Sequence, residues 1–296
     1  MIHGIRVEDG KALWYKNKFV TSPFGFGPNT HVLKHGEKIY ALVEGGVSPV
    51  IMDSEMNFLE EEPFPAADNK RFTAHPKIDS DSGEMHAVSY DFGEYVNGLG
   101  QVHYVTIDSQ GKLIKDQIIE TPSRPMVHDC AITKNYVLIF DLPVTFNLGR
   151  RDDDNNPIGG DYPVVWNDKH TSRVGLQSKK TDEIIWIEVN PGFLFHIVNS
   201  YEDENGQVVL DFCRYERLFD FDNPLPMGQK PFLTRWILDP KTKTCSEQML
   251  DDRPMEFSRV HPDYDGKQHR FGYLLNDGRL NNYCLLYTSP SPRDRG

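Results

Sequence analysis

Three histidines occupy similar settings in the sequence, and their residue type could support metal chemistry. His75 stands in Phe-Thr-Ala-His-Pro-Lys, His128 in Pro-Met-Val-His-Asp-Cys, and His196 in Phe-Leu-Phe-His-Ile-Val-Asn. Each follows a small or apolar residue at the edge of a strand-like run, so each ring is expected to be partly buried. Burial favours neutral imidazole over imidazolium, and neutral imidazole is the form that binds a metal ion.

The spacing of these histidines places them on separate hairpins. Gaps of 53 and 68 residues separate them, so only the fold can bring them to one site. A partly buried histidine is more often a structural hydrogen-bonding residue, and that alternative stays open for each of the three. Four other histidines do not stand in this repeated sequence context and are interpreted as structural: His86, His103, His261 and His269.

Two glutamates stand in settings that are unusual for a carboxylate. Glu44 follows the apolar run Tyr-Ala-Leu-Val, and Glu256 lies between Met255 and Phe257. A buried carboxylate without a partner costs several kcal/mol. A metal-bound imidazole can supply that partner through its second ring N–H. A salt bridge or a strand-end cap explains the same pattern, and the residues alone do not decide between these roles.

The elements that must position these side chains are predicted to be short strands. Period-two alternation and turns recur along the chain, and no segment holds an apolar stripe of helical period over three turns. Acidic turns separate the runs at 79–83, 108–111, 203–206 and 239–243. The predicted strands are Lys38–Val43, Met85–Tyr90, Val102–Ile107, Tyr136–Phe140, Ile184–Val189, Val208–Tyr215, Phe232–Leu238 and Arg270–Leu275. This pattern predicts an all-β protein and leaves sandwich, barrel and propeller open.

Composition and charge exclude several classes of protein. The chain has 296 residues and a formal net charge of −12, and a field of that sign repels the phosphate backbone of a nucleic acid. No apolar run is long enough for a membrane-spanning helix. The four cysteines lack metal-ligand spacing and are interpreted as free thiols in a reducing, cytoplasmic compartment. Phosphate-binding, zinc-protease and serine-hydrolase motifs are absent from the sequence.

An ordered set of motifs resembles the carotenoid cleavage oxygenase family, also called the retinal pigment epithelial membrane protein family. The match is collinear over nearly all of residues 1–283. Its pieces are Met1–Val7 with Asp9–Gly10, Asn29–His31, Ala41–Gly46, Phe72–Lys77, His128–Asp129 with Ala131–Thr133, Phe140–Pro143, Phe195–His196 with Asn199 and Tyr201–Asp203, Asp251–Pro254 with Glu256–Phe257, and Arg270–Tyr273.

The resemblance implies a seven-bladed β-propeller, incomplete in this chain, with a non-haem Fe(II) on its axis. His75, His128 and His196 match the first three of four histidine ligands. Glu44 and Glu256 match two of three carboxylates that orient the ligand imidazoles. The implied reaction uses O2 to cleave a conjugated C=C bond of an apolar polyene into two carbonyl products. Peripheral contact of the protein with a membrane, for the uptake of such a substrate, stays open.

The resemblance also bears on the substrate. Stilbene-cleaving relatives carry a lysine just before the first of these glutamates, whereas this chain has Val43. An apolar side chain there favours a carotenoid or an apocarotenoid. A stilbene-cleaving enzyme, an isomerohydrolase that acts on retinoid esters without O2, and a non-catalytic propeller remain the alternatives.

The last thirteen residues differ from the rest of the chain. Residues 284–294 resemble the translation of a sequencing-library adaptor, and we interpret 284–296 as a non-native tail. The chain is then a partial propeller domain, 1–283. The fourth histidine and the third glutamate are expected beyond Tyr283, and a further N-terminal portion is expected before Met1. We expect this segment to be inactive alone.

Overall fold

The computed structural model describes residues 1–20, 28, 30–44, 49–61, 72–90, 100–146, 163–220, 229–276 and 286–288. These residues form antiparallel strands and one short 3₁₀ turn, Pro262–Tyr264, with no α-helix among them. The all-β class that the sequence predicted is confirmed. The same residues contain no helix that could cross a membrane.

The strands of the first half form a hairpin and two four-stranded sheets. The hairpin consists of β1 (Ile2–Glu8) and β2 (Lys11–Lys18). The first sheet consists of β3 (His31–His35), β4 (Lys38–Leu42), β5 (Val50–Met52) and β6 (Phe58–Glu61). The second consists of β7 (Lys77–Ile78), β8 (Met85–Tyr90), β9 (Gly100–Ile107) and β10 (Leu113–Thr121).

The second half continues with the same up-and-down order. The third sheet contains β11 (Ala131–Ile132), β12 (Tyr136–Asp141), β15 (Arg173–Ser178) and β16 (Ile184–Glu188). Between its strands the chain forms a separate hairpin of β13 (Val144–Phe146) and β14 (Val164–Trp166). The last strands are β17 (Phe193–Glu202), β18 (Val208–Tyr215), β19 (Phe232–Asp239), β20 (Thr244–Arg259), β21 (Phe271–Asn276) and β22 (Leu286–Thr288).

The sheets are arranged as blades around a shared space. Strands follow one another in chain order within each sheet, and the long β20 pairs with β19 from Thr244 to Pro254 and with β21 from Met255 to Arg259. A cavity of about 280 Å³ is lined by residues of β3, β7 and β17, each the first strand of its sheet, and by Arg259 at the end of β20. First strands that face a common axis are typical of a β-propeller.

Local sequence explains why these hairpins close. Asp79 Oδ1 accepts hydrogen bonds from the backbone N–H groups of Asp81 and Ser82, and Gly83 closes the turn at a φ of 73° that glycine adopts without strain. Asp108, Asp203 and Asp239 accept equivalent bonds in the other predicted turns. Asp side chains therefore place the strand ends.

Every predicted strand run corresponds to an observed strand. The runs match β4, β8, β9, β12, β16, β18, β19 and β21 to within two residues at either end. The bodies of β17 and β20, which carry His196 and Glu256, lie outside those predicted runs. The main core joins the sheets through fully buried aromatic residues such as Phe140, Phe212 and Trp236. Cys130, Cys213 and Cys245 are free thiols, and Cys284 lies outside the described residues.

Candidate metal centre

His75, His128 and His196 meet at one point of the fold. One ring nitrogen from each lies within 4.8 Å of those of the other two, and His75 Nε2 is 3.1 Å from His128 Nε2. His75 precedes β7, His128 precedes β11, and His196 lies within β17. Three consecutive sheets therefore each contribute one imidazole, and the structure brings together the side chains that the sequence singled out.

A strand irregularity directs His196 toward the other two rings. The pairing of β17 with β18 shifts register between Leu194 and Ile197 and again between Ile197 and Asn199. Bulges of this kind re-aim side chains and are common beside active sites. His196 thus leaves the regular alternation of its strand, and its ring packs edge-on to those of His75 and His128 at centroid distances of 5.2 and 5.1 Å.

Glu44 holds His128 from behind. Its Oε2 lies 2.5 Å from His128 Nδ1, and its Oε1 accepts a hydrogen bond from the buried Tyr90 hydroxyl. Burial opposes a charge on His128, but the hydrogen bond to Glu44 and the charge of Glu44 outweigh it and raise the pKa of His128. With Nδ1 engaged, Nε2 is the ring nitrogen left to bind a metal ion.

Glu256 holds His196 in a similar way. Its Oε2 lies 2.5 Å from His196 Nδ1 and also accepts the backbone N–H of Phe257. Phe257 has a φ of 53°, unusual for a residue with a side chain, and the pairing of β20 with β21 shifts register just after Glu256. The Phe257 ring stacks on His196 at 5.2 Å. A second irregular strand therefore orients the carboxylate.

His75 has no carboxylate behind it among the described residues. Its ring is 2% exposed, and none of those residues offers a hydrogen-bond partner to Nδ1. Its orientation comes from packing, including a stacked contact with His31, whose Nδ1 lies 2.9 Å from the Ala74 carbonyl oxygen. Burial lowers the pKa of His75 to about 2. The ring is therefore neutral and available as a ligand at physiological pH.

These side chains suit a divalent transition metal. Three ring nitrogens converge, and imidazole suits Fe, Zn, Cu and Ni alike, so the donor set alone does not select the metal. Glu44 and Glu256 place two carboxylates one step behind the ligand rings, where they offset the charge of a 2+ ion. Among the described residues, no other group of histidine, cysteine and acidic side chains has comparable geometry.

Comparison with known proteins assigns the family. The model of the retinal pigment epithelial membrane protein family matches residues 26–287. The chain belongs to that family. A carotenoid cleavage oxygenase of Mycobacterium tuberculosis is 32% identical over 334 residues, which cover 93% of this chain and 66% of the relative.

Solved structures of family enzymes share the fold. Cobalt-substituted Synechocystis apocarotenoid oxygenase aligns with a TM-score of 0.71 and 25% identity over 88% of this chain and 56% of its own. Lignostilbene dioxygenase of Pseudomonas brassicacearum aligns with a TM-score of 0.71 and 28% identity over 86% and 54%. The fold is that of an incomplete seven-bladed β-propeller. The chain spans less than two thirds of the length of these proteins.

The structure adds residues that sequence reasoning did not assign to the site. Tyr90 donates a hydrogen bond to Glu44, and the buried Asp129, one residue after His128, accepts the backbone N–H of Ile197, one residue after His196. The one signal in the sequence that could have identified Asp129 is its position as an acidic residue directly after the candidate ligand His128. Phe195 packs edge-on against His128 at 5.1 Å and leads to Phe193, Tyr215 and Phe219.

The histidines interpreted as structural lie outside the cluster. His86 Nδ1 contacts the Tyr104 hydroxyl, and His103 lies 3.4 Å from an Asp116 oxygen. His261 accepts the Asp263 backbone N–H at the start of the 3₁₀ turn, and His269 contacts the Asn199 amide. Each takes part in a local hydrogen bond or ion contact, as the sequence predicted.

Proposed function

We propose that this chain carries three of the ligands of an Fe(II) centre in an oxygenase that cleaves a conjugated C=C bond of a carotenoid or apocarotenoid. The observation that carries the proposal is the convergence of His75, His128 and His196, two of them held by carboxylates. Family membership supports iron as the metal, because the donor set would accept several. The complete activity belongs to the full-length gene product, since this chain spans only part of its relatives.

The reaction balances without a protein acid or base. Both atoms of O2 enter the products, one in each new carbonyl group, and the C=C bond is the electron source, so no external reductant is required. Bound Fe(II) would supply the one-electron chemistry that O2 needs to react with an alkene. Burial keeps the His75 imidazole neutral, Glu44 and Glu256 orient the His128 and His196 rings, and the aromatic rings of Phe195 and Phe257 pack against the ligand histidines.

The surroundings of the cluster favour an apolar substrate. Phe195 and Phe257 both contact ligand histidines, and Phe257 is 64% exposed although it is apolar. An exposed aromatic ring beside a buried polar centre is suited to contact a hydrophobic ligand. Val43, next to Glu44, adds no cationic group for a phenolate. We therefore place polyenes ahead of stilbenes as substrates.

Labelled oxygen tests the proposal on the iron-loaded full-length gene product. Incubation with an apocarotenoid under ¹⁸O₂ should give carbonyl products that carry the label, measured by mass spectrometry in a time short enough to limit exchange with water. Products without label would contradict an oxygenase and support an isomerohydrolase. If a stilbene gave labelled products while polyenes were not cleaved, the substrate would be a stilbene and not a polyene. Absence of stoichiometric iron would support a non-catalytic propeller.

A further inference from the structure

A buried ion pair joins two of the chain segments that carry the candidate ligands. Lys77 Nζ is 2.9 Å from Asp129 Oδ1 and 3.3 Å from Oδ2, and the two side chains are 9% and 1% exposed. At these distances the two side chains form an ion pair inside the protein, in a place where two apolar side chains would cost less desolvation.

The pair contacts the backbone segment of every candidate ligand. Lys77 is two residues after His75, and Asp129 is one residue after His128. Asp129 Oδ2 also accepts the backbone N–H of Ile197, one residue after His196, at 3.2 Å. These three segments belong to three different sheets, and one carboxylate joins all of them.

Further contacts of the same carboxylate complete the link. Asp129 Oδ1 accepts the backbone N–H of Cys130 at 2.8 Å, which fixes the rotamer of the acid relative to its own segment. The Cys130 thiol in turn donates to the His75 carbonyl oxygen at 3.7 Å. Ile197 lies between the two register shifts of β17, so Asp129 supplies an acceptor where the regular strand pairing is interrupted.

Strand pairing cannot set the distances between these histidines. Hydrogen bonds within a sheet fix register only along that sheet, whereas His75, His128 and His196 come from three sheets. A metal site needs its donor atoms held within fractions of an ångström. Packing between blades is mostly apolar and has no direction, so a directional ionic link has a role that packing does not fill.

We propose that Lys77 and Asp129 are positioning residues that tie the three ligand-bearing segments together and so set the geometry of the metal centre. This inference rests on the proposed function, since it requires that the histidines bind a metal ion. It predicts that loss of the link lowers metal affinity by more than the accompanying loss of folding stability explains.

Cobalt binding to the full-length gene product tests the inference without reliance on activity. Co(II) affinity is measured by isothermal titration, the coordination geometry by the visible absorption bands of the bound ion, and stability by denaturant unfolding of the metal-free protein. For D129N we expect a roughly 10–100-fold loss of Co(II) affinity and changed absorption bands, as for other residues that orient ligands. Wild-type affinity and bands in D129N would overturn the positioning role.

The double variant K77M/D129N separates positioning from the burial of charge. It leaves no unpaired buried charge, so its unfolding midpoint should recover relative to D129N. The His75 and His128 segments are no longer joined by the ion pair, so Co(II) affinity should stay about tenfold or more below wild type. Recovery of both stability and affinity would show that the pair only avoids an unpaired charge, and would overturn the inference.

A matched ion pair elsewhere provides the control. Asp211 on β18 is also buried and binds Arg235 on the neighbouring strand β19 through both carboxylate oxygens, at 2.7 and 2.8 Å. D211N should lower stability but leave Co(II) affinity within about twofold of wild type. If D211N lost as much Co(II) affinity as D129N, general destabilisation would explain the loss in D129N, and the positioning role would be overturned. A wild-type protein that binds no stoichiometric cobalt would reject the proposed function itself, and the inference with it.

Discussion

The candidate ligands are of two kinds, because His128 and His196 are held by carboxylates and His75 is not. Glu44 and Glu256 each lie 2.5 Å from the Nδ1 atom of their histidine. His75 Nδ1 has no hydrogen-bond partner among the described residues. The consequence is visible in the acid–base properties, since Glu44 raises the pKa of His128 whereas burial lowers that of His75 to about 2.

The difference shows that a ligand ring can be oriented in two ways. A carboxylate orients an imidazole by a directional bond and adds negative charge near the metal. His75 is oriented by close packing and by its backbone, whose N–H donates to Thr73 Oγ1 at 3.2 Å. The carboxylates themselves also differ, because Tyr90 holds Glu44, whereas no described residue pairs with Glu256 Oε1.

The largest expected effect tests whether His75, the ring that no carboxylate holds, is a metal ligand at all. In the full-length gene product, H75A, H128A and H196A should each abolish cleavage and stoichiometric iron binding, because each removes one nitrogen donor. Product formation and iron content per chain are measured, with denaturant unfolding to show that the fold persists. H261A, at an exposed position, is the control. Activity retained by H75A alone would mean that His75 is structural and that only the rings held by carboxylates, His128 and His196, bind the metal.

The next effect tests the carboxylates. E44Q and E256Q should lower iron affinity or turnover roughly 10–100-fold, because the amide keeps a hydrogen-bond acceptor but removes the negative charge. Glu202 provides a matched control away from the metal centre, since it accepts hydrogen bonds from Thr133 and Asn135. E202Q should leave iron affinity unchanged. Equal affinities in all three variants would mean that orientation, and not charge, is the contribution of these glutamates.

The smallest effect concerns a buried imidazole that is remote from the metal centre. His86 is 1% exposed, and burial followed by the charge of Lys179 lowers its pKa to about 3. As the pH falls below about 6.5, His86 therefore binds a proton in the unfolded state but stays neutral in the folded state. Stability is therefore fully present above that pH and decreases toward pH 3.

H86Q measures this contribution. Glutamine cannot titrate but can accept from Tyr104 and Thr106, whose hydroxyls contact His86 Nδ1. Between about pH 7.5 and pH 5, wild type should lose about 2 kcal/mol more unfolding free energy than H86Q. Denaturant unfolding at both pH values, with H261Q as the exposed control, gives the comparison. Parallel losses in wild type and H86Q would show that burial does not keep this ring neutral.

Much of the fold could be read from local sequence. Alternating apolar residues and acidic turns depend on neighbours within a few positions, and the predicted runs coincide with observed strands for that reason. The strands that carry His196 and Glu256 were harder to predict, because register shifts interrupt their alternation. Tyr90 and the Lys77–Asp129 pair were missed, since nothing near them in sequence indicates their partners.

The sequence by itself determined the all-β class, the turn positions and, through the family resemblance, the identity of the candidate histidines and glutamates. Only the tertiary structure decided that imidazoles separated by 53 and 68 residues lie within 4.8 Å, which glutamate faces which histidine, and that one buried ion pair joins their segments. The reason is physical. Strand propensity and turn closure act over a few residues, whereas the distance between side chains of different blades depends on how whole sheets pack.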